Sequence, residues 1–235
     1  MTDPAALRAR LADVRDRIAR AAGRAGRDPA SIRLVAVSKT FDAEHVRAAA
    51  LAGQVDFGEN KVQEALQKMA RTTDLQIRWH LVGHLQSNKA RKAGAHFDVI
   101  HSIDDGSLVA KIDEAARTAG RHVQLLAQVD LSGEPTKHGA RQTELPAIFE
   151  TAGACQAARL SGLMLLPPAE ENPEASRPYF RELRAVRDRL LARGVAGWML
   201  CELSMGMSHV FDVAVEEGAT LVLVGTAIFG RRTAD

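Results

Sequence analysis

Eight short runs rich in β-forming residues, separated by helix-like stretches, constrain what this chain can fold into more than any other feature. They are "IRLVAVS" (Ile32 to Ser38), "VDFGE" (Val55 to Glu59), "IRWHLVG" (Ile77 to Gly83), "FDVIHS" (Phe97 to Ser102), "VQLLAQVD" (Val123 to Asp130), "LSGLMLL" (Leu160 to Leu166), "MLCELS" (Met199 to Ser204) and "LVLVG" (Leu221 to Gly225). The intervening stretches include "DAEHVRAAALAG", "NKVQEALQKMA" and "SRPYFRELRAVRDRLLARG", several opening on Asp or Asn and closing at Gly, as capped helices do. Strict alternation of strand and helix implies parallel pairing through right-handed crossovers. Eight such units in 235 residues point to an α/β protein, a single closed (β/α)8 barrel covering residues 1–235. A doubly wound open sheet is the structural competitor, but no GxGxxG follows the first strand.

With 46% hydrophobic and 26% charged residues the chain can bury a large core. A formal net charge of +2, from 31 basic and 29 acidic residues, gives no strong field toward nucleic acid or membrane. The arginine-rich opening has no signal-peptide core, and no apolar run nears the roughly 20 residues that span a bilayer, so a cytoplasmic location is expected. In that opening Leu7, Leu11, Val14 and Ile18 share one face of an extra amphipathic N-terminal helix, with arginines on the other. Cys155 and Cys201 are far apart and without a CxxC partner, which suggests neither a disulfide framework nor a cysteine zinc site.

In such barrels chemistry gathers where the strands end at the C-terminal mouth. The sequence puts there Lys39 after the first run, Glu59 and Asn60 after the second, His80 and His84 around the end of the third, and His101 and Ser102 after the fourth. Asp130 follows the fifth and Met164 lies on the sixth; "SMGMS" (Ser204 to Ser208) and Gly225-Thr226 follow the seventh and eighth. Glycines, hydroxyls and free amides in the last two loops make an anion cradle where barrels commonly hold phosphate. A lysine beside such a cradle suits a phosphorylated carbonyl compound held as an imine, and partial burial near other cations would favour the neutral amine that attacks. Two candidates follow, pyridoxal phosphate or a sugar phosphate in an aldolase. His80, His84, His101 and Asp130 could alternatively ligate a metal in a barrel hydrolase, but the His-x-His expected on the first strand is absent and no metal is anticipated.

The motifs "AVSKT", "FGENKVQE", "WHLVGHLQSNK", "VDLSGEPTKHG", "SGLMLLPP", "LSMGMS" and "VGTAIFG" occur in this order from residue 36 to residue 230. With them the chain resembles the pyridoxal phosphate homeostasis protein family, barrels like the alanine racemase N-terminal domain. The resemblance implies pyridoxal 5′-phosphate (PLP) bound as a Schiff base on Lys39. It implies the phosphate on Ser204, Gly225 and Thr226, with Asn60 and His80 lining the surroundings and Met205 packing against the cofactor. It also implies a carrier in vitamin B6 homeostasis that hands PLP to apoenzymes, acts as a monomer and turns over no substrate. The alternative is a PLP-dependent amino-acid racemase or lyase. A two-base racemase needs a second acid/base, and the only tyrosine, Tyr179, sits in a helical run far from any strand end. Where members of the family read R-I-G-T, this chain has Leu223-Val224-Gly225-Thr226. Leucine leaves the ring nitrogen without its usual partner, weaker binding is expected, and Leu223→Arg should tighten it. His209 stands where an acidic residue is common. Lys137 is a candidate second, transient site for the aldehyde.

Overall fold

The structure, a computed structural model, describes residues 3–131, 138–168 and 171–230. The chain runs α1 (Pro4–Arg24), β1 (Arg33–Val37), α2 (Ala43–Leu51), β2 (Asp56–Glu59), α3 (Val62–Ala70), β3 (Arg78–Leu81), α4 (Ala90–His96), β4 (Val99–Ile103) and α5 (Gly106–Thr118). It continues β5 (Val123–Gln128), α6 (Leu145–Gly153), β6 (Ala158–Met164), α7 (Arg177–Ala192), β7 (Glu202–Met207), α8 (Phe211–Glu216), β8 (Leu221–Val224) and α9 (Thr226–Phe229). The strands close in sequence order into a parallel barrel, with β8 beside β1. The fold expected from the strand count is the one observed.

Alternation along each strand divides the core in two. Val35 and Val37 of β1 point into the barrel, with Leu126, Met164, Leu221 and Leu223, while Leu34 and Ala36 face the helices. Register sets the height of each residue on the mouth. Val37 lies opposite Gly58, and Val35 opposite Leu223. Two residues further up on each pair, Asn60 stands opposite Lys39, and Gly225 stands opposite Val37 just below it.

Helix α1 is capped by Asp3, whose carboxylate accepts from the amides of Ala5 and Ala6, and it buries Leu7, Leu11, Val14 and Ile18 as the pattern requires. Several arginines that its sequence assigns to solvent instead grip the end of the chain. Arg10 Nε donates to the Ile228 carbonyl at 2.6 Å, and Arg17 pairs with Asp212 and lies 4.2 Å over the Phe211 ring. The arginine stems pack while their heads reach partners on α8 and α9.

One boundary differs from the sequence reading. "SMGM" is strand, since β7 runs to Met207 and pairs with Leu223. Glycine and serine read as turn residues, but Gly206 holds φ +96°, and a Cβ there would lie 2.6 Å from Ala214 Cβ. The glycine lets α8 approach the strand rather than ending it. Both cysteines are free, and no described helix is long and apolar enough to cross a membrane. Tyr179 is half-buried on α7 against the outer core.

Candidate functional site

Lys39 follows β1 after one intervening residue, Ser38, and is exposed rather than partly buried. The backbone around it is tightly held. Ser38 N donates to Gly58 O at 2.9 Å, continuing the ladder, and Phe41 N donates back to Ser38 O at 3.1 Å. This closes a four-residue turn with Lys39 and Thr40 at its centre. Thr40 has φ +71°, the third-position conformation of a type II turn, where glycine is usual. A β-branched residue held there costs about 1–2 kcal/mol, so its surroundings must enforce it.

The enforcement comes from a buried cation. Lys68 Nζ, on α3, donates to the Ser38 carbonyl at 2.8 Å, to Glu59 Oε1 at 2.7 Å and to Glu64 Oε1 at 3.1 Å. Ser38 Oγ donates to Glu59 Oε1 at 2.6 Å, and the Thr40 amide to Glu64 Oε1 at 2.7 Å. Residues on both sides of Lys39 are thus tied to one ionic cluster. Burial pushes the Glu59 carboxyl above the usual carboxylate range, although Lys68 and Ser38 pull against it. Its second oxygen is buried without a partner among the described groups.

Across from Lys39, Val37, Thr40, Phe41, Gly225, Thr226 and Gly230 complete a cleft of about 310 Å³, at the lower end of the range for small-molecule sites. Gly225 sits so close to β1 that a Cβ would be 3.1 Å from the Val37 carbonyl. The amides of Gly225 and Ala227 both point at Ser208 Oγ, at 3.2 and 3.4 Å. Two long bonds to one hydroxyl mark a place where an anionic oxygen would be better received.

The other expected residues divide. Asn60 is half-buried at the end of β2, its backbone pressed so closely on Gly83 that a Cβ there would lie 2.3 Å from the Asn60 carbonyl. His80 and Ser204 are inside the barrel with His101. Asp56 Oδ1 bonds His80 Nε2 at 2.8 Å, His80 Nδ1 meets His101 Nε2 at 2.9 Å, and His101 Nδ1 meets Ser204 Oγ at 2.8 Å. Burial lowers the pKa of both imidazoles, outweighing Asp56 at His80 and joined at His101 by the charges of His80 and Arg33. Burial alone would raise Asp56, but His80 and Arg78 hold it below its ordinary value. With an ionised carboxylate at one end and neutral rings, the proton order follows. His80 Nε2–H donates to Asp56, His101 Nε2–H to His80, and the Ser204 hydroxyl to His101. The one proton of Ser204 is engaged, and the residue is fully buried. Met205 is also fully buried, on the opposite face of β7 in the outer core. The structure therefore does not bring Ser204 or the Met205 side chain to the Lys39 cleft.

Ser208 enters the sequence reading only as the end of the SMGMS cradle and Glu59 only as a mouth residue; the buried Glu59–Lys68–Glu64 cluster is not anticipated there. Ser208 could have been found as the first residue beyond β7, had the strand been extended through the glycine. Lys68 lies four residues after Glu64 on a helix, a common surface pair with no mark of burial. Lys137 lies outside the described residues. His84 does not join His80 and His101.

A closed parallel barrel with a lysine just past its first strand and an amide cradle after its last defines a class. The family model for the alanine racemase N-terminal domain matches residues 9–233. An alanine racemase from Clostridium difficile 630 has the same fold, with a TM-score of 0.70 at 15% identity over 97% of this chain and 57% of that one. The chain belongs, within that class, to the pyridoxal phosphate homeostasis protein family. It is 42% identical to the pyridoxal phosphate homeostasis protein of Aquifex aeolicus over 224 residues, 95% of this chain and 97% of the relative. The protein of that name from Pseudomonas aeruginosa is 42% identical over 222 residues, 94% of each chain. PipY of Synechococcus elongatus PCC7942, solved with PLP bound, superposes with a TM-score of 0.84 at 40% identity, covering 95% of this chain and 100% of that one.

Proposed function

We propose that this protein binds pyridoxal 5′-phosphate, carries it covalently through the Lys39 amine, and serves intracellular vitamin B6 homeostasis without turning over a substrate. The observation that carries the reading is the shared cleft, with a primary amine on one wall and two convergent amides on the other. The donor set fits the cofactor's two functional ends. The aldehyde supplies an electrophile for the amine, and the phosphate suits the Gly225 and Ala227 amides, the Thr226 hydroxyl and Ser208. Asn60 stands beside Lys39 on the neighbouring strand end without lining the cleft itself. On this reading His80 and Ser204 act through the interior chain rather than by touching the phosphate, and Met205 packs on the outer face of β7. The exposure of Lys39 suits a protein that gives its cargo up to apoenzymes.

A carrier reading also accords with what surrounds Tyr179, the single tyrosine, which packs against the core on α7. The test is a visible spectrum of purified protein with PLP, before and after borohydride, followed by peptide mass mapping. The reading expects a band fixed by reduction, a modified residue 39 and no band in Lys39→Ala. Modification elsewhere, with residue 39 untouched, overturns it. Incubation with amino acids in deuterated water should leave the α-hydrogen in place; exchange would make the protein a racemase or lyase.

A further inference from the structure

On the other side of the mouth from Lys39, three strand ends bring together side chains that the cofactor reading does not use. His84 follows β3, Asp104 follows β4 and His138 lies in the connection after β5. One ligand atom from each falls within 4.8 Å of the others, the only such His, Cys, Asp and Glu group with potential ligand geometry among the described residues. His84 Nδ1 is 3.6 Å from Asp104 Oδ2, and the two imidazoles stack 3.6 Å apart with planes 9° from parallel. We propose that His84, Asp104 and His138 form a binding site for one late first-row divalent transition ion, zinc or cobalt in kind.

The chemistry selects the ion. Two imidazoles and one carboxylate are borderline ligands that suit zinc, cobalt, nickel and copper, whereas calcium and magnesium prefer all-oxygen shells. In a tetrahedral shell with bonds near 2.0–2.1 Å, neighbouring ligand atoms sit about 3.3 Å apart. The His84–Asp104 pair is already close to that, and the two exposed imidazoles must rotate out of their stack to complete the set. The backbones beneath are fixed. Gln128 Nε2 donates to the His138 carbonyl at 2.7 Å, and Ala140 N to the Gln128 carbonyl at 2.8 Å, fastening the His138 segment to β5. Asp104 is half-buried directly beyond the last residue of β4. Three protein ligands at an open rim leave a fourth position for water or an anionic ligand. The proposal stands apart from the Lys39 site, whose residues come from β1, β7 and β8.

Untagged full-length protein, stripped with a chelator and dialysed, is titrated with Co²⁺ and Zn²⁺ by calorimetry and visible spectroscopy, with and without PLP. The expected result is one equivalent of either ion, a ligand-field spectrum for Co²⁺ that Zn²⁺ displaces, and affinity lowered by at least about tenfold in H84A, D104N and H138A. Circular dichroism melts of the three variants confirm that each remains folded. Absence of saturable uptake overturns the site, as does undiminished uptake by all three variants, which would put the ion elsewhere.

Discussion

Two serines four residues apart on the same motif have different partners, and single substitutions separate them. Ser204 spends its proton on His101 inside the barrel, while Ser208 faces the amides of Gly225 and Ala227. Ser208→Ala should weaken PLP binding by about 1.5 kcal/mol, on the order of tenfold, measured by fluorescence or absorbance titration. Ser204→Ala should leave that affinity nearly unchanged. It should instead lower stability by about 1–3 kcal/mol in urea unfolding, because the buried His101 Nδ1 loses its donor. The reverse pattern would return the phosphate to Ser204. Leu223 is buried among Val35, Val37 and Leu221 on the inner face of β8. An arginine there has its guanidinium to bring to the mouth, and Leu223→Arg is expected to tighten PLP binding in the same titration. The place of Lys39 just past β1 was legible because a cation ending an apolar run is conspicuous. The difference between Ser204 and Ser208 was not legible, since a strand carried through glycine looks like a turn when only residue types are read.

At the scale of elements, the loop after β1 depends on α3. The Lys68–Glu59 pair is almost wholly buried, with side-chain exposures of 7% and 0%. Removing one member of a buried pair strands the other, so Lys68→Met should destabilise the fold by about 3 kcal/mol or more, read from chemical denaturation. It should also loosen the Thr40 turn, so that borohydride trapping at Lys39 becomes slower or less complete. A loss below about 1 kcal/mol with normal trapping would show that the turn holds itself. Strand and helix existence was largely readable here, from alternation and caps. The Lys68 cluster was not, because it joins the turn after β1, the end of β2 and α3, which meet only when the two strands pair and the helix packs on them. The same holds for the arginines of α1, whose partners on α8 and α9 lie far along the chain.

For the whole molecule, the interior chain from Asp56 to Ser204 makes stability depend on pH in one direction. Both histidines have native pKa values below the ordinary 6.5, so the unfolded chain takes up protons first as pH falls. Stability from these groups is present above pH 6.5 and lost below it, as protonation must break a neutral, directional chain. Thermal melts should fall between about pH 6.5 and 5 more steeply for the natural protein than for His101→Gln. Equal slopes would assign the acid sensitivity to other groups. The barrel itself was foreseeable from eight repeated units, whereas the polar thread through its centre was not. His80 and His101 look like mouth residues until register sets which way they point. The pairing of β1 with β8 has a further bearing on how the molecule is made. The amine lies just past the first strand and the amides that face it follow the eighth, so a growing chain holds both walls of the cleft only once β8 has been made. A ligand that needs both walls must therefore wait for the ring to close.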